Sequence, residues 1–438
     1  NPFRCPVFVS ISSLTDIAAI FRSRISRRSM LAGAGWFAVG TAGCETQREM
    51  KTAFQVAGPS MAPTLWGPSV QFSCAACKVP IRVDAEHWKT VRQRVAAVRE
   101  RGASPPRCWH CGTPVDGDSI AQPTRIEPDV VTVVSPSLAR MQQRLDTGDK
   151  PLVLLKHEDG IHVKRILAGP GQVVTADESG RLLVDAAPVA LSDSPRLPID
   201  IDEQRTGDIP SRWICVDDAW QRDQEGIWSG ASLGTKSKSG LVWLVYQHRN
   251  VYRGNVVSRV LDDCPANLGI DRRLHPVDDI GLAISIQPQA GVDVGKNQSR
   301  SDRRVHVISW TEQGPRVVSQ TLPEQPSKIG SLIEVGPTSF RKGSELDASG
   351  LNSEGIPELS SKSPIAVGLD PRSVANARDL CLWRSIVWRA PQLSRWELGT
   401  DEWFAAGDNV PVSVDSRSWG PIRANQIVGV CEPLTQES

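Results

Sequence analysis

The chain carries almost no net charge: 50 Lys and Arg face 49 Asp and Glu, leaving +1 over 438 residues. That balance excludes a basic surface spread over the whole molecule, the footprint of a nucleic-acid-binding protein. A long apolar run is also missing. The best candidate, Met30 to Gly43, has 14 residues, four of them glycine, whereas a membrane-spanning helix needs about 20 apolar residues and glycine weakens any helix. Long helical repeats are absent, while 32 prolines and 35 glycines point to strands, turns and loops. The ten cysteines do not form the pattern of a disulfide framework. Cys5, Cys44, Cys215, Cys264, Cys381 and Cys431 are scattered singly, like small buried hydrophobes. The length exceeds one typical core and predicts two or three folding units.

At the N-terminus, Arg22, Arg24, Arg27 and Arg28 precede the short apolar stretch. Positive charge followed by an apolar run suits a membrane segment with its N-terminus inside, or an export signal. Ser26-Arg27-Arg28-Ser29-Met30-Leu31 resembles a twin-arginine export signal, and Thr41-Ala42-Gly43-Cys44 resembles a lipoprotein cleavage box. Residues 1–53 are therefore expected to be a signal or membrane-anchor region, its exact type left open.

Ser60 and Lys164 are singled out by the family resemblance set out below, and their surroundings suit the chemistry it implies. Ser60 lies in Gly58-Pro59-Ser60-Met61-Ala62-Pro63-Thr64-Leu65. A serine hydroxyl is a poor nucleophile without a base beside it. Lys164 lies in an alternating segment with Ile161, Val163, Ile166 and Leu167 about it, and a lysine can be that base only when burial disfavours its charged form. A strand there would turn Lys164 and Ile166 to one face and Val163 and Arg165 to the other. The plain alternatives are a surface lysine and a helix-capping serine.

Three runs in order, the Ser60 run, Lys164-Arg165-Ile166-Leu167-Ala168-Gly169-Pro170-Gly171, and Gly407-Asp408-Asn409 followed by Ser413, Asp415, Ser416 and Arg417, resemble type I signal peptidases. These are membrane-bound serine proteases with a lysine base. The resemblance implies that Ser60 attacks the scissile carbonyl, Lys164 takes its proton, Ser413 orients the lysine, and Asp415 and Arg417 form a supporting ion pair. It implies an oxyanion held by the Ser60 backbone N–H and a second donor. Some relatives supply that donor from a serine two residues earlier, where this chain has Gly58. It also implies preprotein substrates with small residues before the cut, no catalytic cofactor, and a catalytic domain on the outer side of the cell membrane. The family often reads Gly-Asp-Asn-Arg-Asp-Asn-Ser, whereas Val410, Pro411 and Val412 fill the middle here. Its Gly-Leu-Pro-Gly-Asp turn appears as Ala168-Gly169-Pro170-Gly171-Gln172.

Cys74-Ala75-Ala76-Cys77 and Cys108-Trp109-His110-Cys111 are separated by 30 residues. Two such knuckles can close a tetrahedral zinc site of four thiolates, with His110 a bystander; disulfides or free thiols are the alternative. The stretch from Asp84 to Arg101 predicts a charged helix with an aspartate cap, ended by Pro105-Pro106. Between about Ser192 and Ala390 no protease motif occurs, and apolar alternating runs predict an inserted β-sandwich. Trp243, Tyr246 and His248 fit its core or a ligand surface. Asp262-Asp263 and Asp278-Asp279 fit solvated turns or a calcium site. Trp383, Trp388, Trp396 and Trp403 fit a core or a membrane interface.

The expected chain is thus mainly β: a signal-peptidase-like β-barrel core with a zinc-ribbon insertion and a β-sandwich-like insertion. The expected divisions are 1–53 leader, 54–73 serine part, 74–116 zinc-ribbon-like segment, 117–200 lysine part, 201–390 inserted domain and 391–438 third core part. One rival is another serine–lysine protease such as a self-cleaving repressor, which the third motif and the lack of a DNA-binding helix pair oppose. The other is a catalytically decayed core serving as a binding protein.

Overall fold

A computed structural model describes residues 52–433, except 103, 192–193, 206, 217–219, 231–240, 289–303, 312–313, 323–330, 338–356 and 371–373. The leader motifs, with Cys5 and Cys44, lie outside the described residues, as do most of the polar stretches flanking the later sandwich strands. Among the described residues the chain is mainly β, with every strand pair antiparallel. No helix of these residues is long and apolar enough to cross a membrane.

One seven-stranded sheet gathers distant parts of the chain in the order Thr52–Gln55, Val130–Val134, Ile427–Pro433, Leu152–His157, Gly160–Ala168, Glu402–Ala406 and Ile422–Arg423. Leu152–Leu155 is apolar at every position because both sheet faces are covered. Leu152 and Leu154 join Val56, Met61 and Leu65 on one side. Val153 and Leu155 join Ile166, Trp403 and the helix residues Met141 and Leu145 on the other. That helix, Leu138–Asp146, opens on Ser137, whose hydroxyl accepts from the Arg140 N–H. The sheet does not close into a barrel: Thr52–Gln55 and Ile422–Arg423 are its two edges. Closure needs complementary ladders at both edges, and the second edge is only two residues long.

Residues 197–384 build a sandwich. One sheet carries Ile280–Pro288 and Val374–Arg384 at its centre, and the other carries Val242–Tyr246 and Ile365–Leu369. Val242, Leu244 and Tyr246 meet Leu282, Ile284 and Ile286 in one shared core, while Trp243 and Ala283 face outward into smaller clusters, the two-residue period of strands packed on one face. Tyr246 is thus a core residue, and Trp243 is buried in one of the smaller clusters.

Several other expectations resolve in the same way. Trp383, Trp388 and Trp403 are buried. Asp263 is held bidentately by Arg272 (2.6 and 2.7 Å), Asp262 accepts from the His275 N–H (2.7 Å), and Asp279 pairs with Arg181, so these acids brace turns. Cys215, Cys264 and Cys431 are free thiols, but Cys381 is disulfide-bonded, unlike the expectation for the single cysteines.

Between the serine turn and the lysine strand sits a small unit: Ser69–Ser73 paired with Pro80–Asp84 and Thr124–Ile126, then the helix Ala85–Arg101. Asp84 caps this helix by accepting from the Glu86 N–H (3.0 Å). Its end comes earlier than the prolines, at Gly102, which takes the left-handed conformation (φ 64°) that glycine adopts without a Cβ penalty.

Candidate active site

Ser60 is half-buried at the middle of one 3-10 turn, Pro59–Met61. Proline at the first position suits such a turn because its missing N–H has no partner there anyway. Lys164 lies in the strand Gly160–Ala168 and is 2% exposed. Its Nζ donates to Ser413 Oγ at 3.0 Å. Burial strips water from the charged amine and lowers its pKa to about 8; Asp415 opposes the shift and Arg417 adds to it. The indole of Trp419 lies 5.9 Å from Nζ and stacks on His157 with 4.1 Å between ring centroids.

Asp415 is fully buried. It accepts from Arg417 Nε and Nη2, both at 2.7 Å, and from the Gly407 N–H at 2.8 Å. Burial pushes its carboxyl upward, but the Arg417 charge and hydrogen bonds outweigh that, and the net shift is downward. Removing one partner of a buried pair of this kind costs about 3–5 kcal/mol.

Gly407 is the meeting point. A Cβ there would sit 2.1 Å from Ser413 Oγ and 2.6 Å from the Ser60 carbonyl oxygen. The Ser60 backbone and the side chain that orients Lys164 therefore press on the same glycine. No hydrogen bond joins the Ser60 hydroxyl to the Lys164 amine. Such contacts are commonly long in a resting protease and tighten when substrate binds.

Four further residues, Arg165, Asp408, Thr64 and Asn409, secure this arrangement without having been assigned a role from the sequence. Arg165 donates bidentately to Asp408 (2.8 and 2.6 Å) and to the Lys150 carbonyl (2.8 Å). Thr64, four residues after the serine, donates its hydroxyl to Asp408 as well. Asn409 holds the serine turn: its backbone N–H donates to the Ser60 carbonyl (3.0 Å) and its Nδ2 to the Pro59 carbonyl (3.0 Å). Asp408 and Asn409 stand inside the Gly407-Asp408-Asn409 run, and Arg165 directly follows the lysine, so the signal was proximity to residues already chosen. Their partners could not be read from it.

The four knuckle cysteines come together as a buried group, all Sγ atoms within 4.8 Å of one another. Cys74 and Cys111 are 3.6 Å apart and Cys77 and Cys108 3.7 Å, and all four are free thiols rather than disulfides. Tetrahedral zinc with bonds of about 2.3 Å holds its sulfurs about 3.8 Å apart, so the donor set fits such an ion. Backbone N–H groups of His110 and Thr113 approach Cys108 and Cys111 at 3.4 and 3.5 Å, as ligand loops do when they orient thiolates. His110 is fully buried and turned away from the sulfurs. Its Nε2 accepts from the Ile201 N–H (3.1 Å), and its carbonyl accepts from Arg205 (2.7 Å) and Arg212 (3.1 Å). The residue expected to be idle is the joint between the cysteine unit and the sandwich.

A protein-family model for signal peptidase, peptidase S26, matches residues 384–434. This segment holds Gly407, Ser413, Asp415 and Arg417, and it links the chain to that family over those residues. No curated protein matches the chain.

Two outcomes follow from this geometry. Gly407→Ala should force Ser413 away from Lys164 and, where the site cleaves peptides, lower that cleavage about 100-fold, while circular dichroism stays that of a folded β protein; unchanged turnover in a cleaving protein would contradict the crowding at Gly407. Cys77→Ser should abolish stoichiometric zinc in metal analysis and speed proteolysis within residues 70–115, and an unaltered zinc content would show that the four sulfurs do not bind it.

Proposed function

We propose that this chain is a signal-peptidase-type serine endopeptidase using a Ser60/Lys164 dyad. The observation that carries the proposal is the buried Lys164 amine, turned onto Ser413 and packed across Gly407 from the Ser60 turn. A lysine with a pKa near 8 is neutral in a useful fraction at neutral pH, which an exposed lysine is not. The peptidase S26 match over residues 384–434 supports the same reading.

In this mechanism neutral Lys164 takes the Ser60 hydroxyl proton as Oγ attacks the scissile carbonyl. The resulting ammonium gives that proton to the departing amine, leaving an acyl-serine. Water, deprotonated by the same lysine, then releases the acid and restores Ser60. The Ser60 backbone N–H would face the oxyanion. The proposed substrates are exported preproteins with small residues before the cut, processed at the cell membrane on its outer side. The ion proposed for the cysteine site is zinc, with a structural role, since four thiolates leave no open position for chemistry.

The test is cleavage in detergent of a peptide bearing Ala-x-Ala before the scissile bond, by wild type, Ser60→Ala and Lys164→Ala. Cleavage by wild type alone is expected. Its kcat/KM should rise with pH through about 8, because the free enzyme is active only once Lys164 has lost its proton. A flat profile from pH 6 to 10 would eliminate lysine as the base. Absence of cleavage by folded, zinc-loaded wild type would favour a binding protein built on a decayed core.

Gly58→Ser gives a gain-of-function check. Its backbone is extended (φ −135°) and nothing lies within 4 Å of the position its Cβ would take, so a serine fits without strain. If the oxyanion lacks a second donor, the added hydroxyl should raise kcat about tenfold, below the roughly 100-fold effect of a donor that a site has been built around. An unchanged kcat would mean that another group already serves.

A further inference from the structure

The sandwich insertion reaches the candidate active site at one point. The turn Pro265–Asn267 packs Cys264 and Ala266 into the cluster that holds Ala62, Trp66, Trp388 and Val410. Asn267, fully buried, forms a reciprocal amide pair with Asn409: its Nδ2 donates to Asn409 Oδ1 at 2.8 Å, and Asn409 Nδ2 donates back to Asn267 Oδ1 at 2.7 Å. The orientation is fixed by chemistry. The Pro59 carbonyl can only accept, so the Asn409 amino group must face it. One Asn409 hydrogen then goes to Pro59, the other to Asn267, and its oxygen must find a donor, which Asn267 supplies.

Asn267 is itself held firmly. Its carbonyl accepts from Arg272 Nη1 (2.7 Å), and Arg272 is clamped on Asp263. The next residues pin the turn to the cysteine unit: Leu268 enters that unit's core, and a Cβ on Gly269 would strike Val91 of the Ala85–Arg101 helix at 2.7 Å.

We infer that Asn267 is a positioning residue for the Ser60 turn, so that the inserted sandwich completes the active site of the protease. This rests on the serine–lysine reading given above. Asn267 acts only through Asn409: it fixes the Asn409 amide plane, which holds the Pro59 carbonyl while the Asn409 backbone N–H holds the Ser60 carbonyl, and together these set the direction in which the serine hydroxyl leaves the turn. Asn267→Leu keeps the side-chain size and removes the pairing.

The experiment compares wild type, Asn267→Leu, Asn409→Leu and the double variant, by peptide cleavage and by amide hydrogen exchange over residues 58–66 and 405–412. Asn267→Leu should lower kcat about ten- to hundred-fold with little change in KM, the scale of a slightly misplaced nucleophile. It should add nothing in the Asn409→Leu background, whereas a merely structural role would lower stability additively. Undiminished kcat in Asn267→Leu, or additive losses in the double variant, would overturn the inference. If wild type itself cleaves nothing, the serine–lysine reading fails separately. Exchange then decides: faster exchange over 58–66 in Asn267→Leu supports the clasp and unchanged exchange removes it. If Asn267→Leu does not fold, Asn267→Asp replaces it. Its carboxylate accepts from Asn409 Nδ2 but sets two oxygens against each other, so kcat should fall similarly, and full kcat would overturn the inference.

Discussion

Keeping one amine out of water is the constraint on which the candidate site depends. A lysine near 2% exposure loses the hydration that stabilises its charge, and that loss brings it toward neutrality. A carboxylate beside it would reverse the effect, and Asp415 is beside it. The Asp415–Arg417 pair resolves the conflict. Arg417 answers the carboxylate's charge bidentately, and Gly407 contributes a backbone N–H. Arg417 also disfavours a second cation nearby and so offsets part of Asp415's upward pull, and burial leaves the amine depressed. Buried ion pairs are weak sources of stability; here the arginine limits how far the carboxylate can undo what burial does to the lysine.

The Gly407-Asp408-Asn409 run distributes three tasks over three adjacent residues. Gly407 has no side chain because Ser413 and the Ser60 carbonyl occupy that space. Asp408 ties the lysine strand, through Arg165, to Thr64 in the segment after the serine. Asn409 reaches the serine turn itself. One loop at the end of the strand Glu402–Ala406 thus joins the Ser413 segment, the lysine strand and the serine turn, with Gly407 and Asn409 both meeting the Ser60 carbonyl. Val410, Pro411 and Val412 depart from the family's common spelling, yet Ser413 still reaches Lys164. The spacing from Gly407 to Ser413 is thus kept although Val410, Pro411 and Val412 replace the family's common residues.

What could be read in the sequence was local. The aspartate cap at Asp84, the apolar Leu152–Leu155 strand and the two-residue spacing of Asp415 and Arg417 each depend on neighbours within a few positions, and each is found. Ser60 and Lys164 were candidates only through the family resemblance, since a serine at a turn and a lysine in an apolar strand are not distinctive by themselves. Contacts between distant segments were not legible. Thr64 and Asp408 are 344 residues apart, and Asn267 and Asn409 are 142 apart; neither asparagine has a feature that marks its partner. The helix expected from Asp84 to Arg101 is found with those bounds, and only its stop differs: a left-handed Gly102 terminates the hydrogen-bond ladder ahead of the Pro105-Pro106 pair. The barrel was an expectation of the resemblance, and the two-residue edge strand at Ile422–Arg423 is too local a detail for any resemblance to carry.

The knuckle unit and the sandwich are interlocked, which changes what a metal ion would stabilise. Arg205 and Arg212 both donate to the His110 carbonyl, and Arg205 also clamps the buried Asp200. His110 stands between two of the four cysteines, so its carbonyl keeps its place only while the knuckle keeps its shape. Loosening the knuckle would strand two buried guanidinium groups, each at a cost of about 1–3 kcal/mol or more. The free energy of holding the ion is therefore folding free energy for the sandwich face as well as for the ribbon. That face runs through Cys264 and Asn267 to the serine turn. An ion held by the four thiolates would in this way stiffen the surface against which the Ser60 turn is set, without touching that turn.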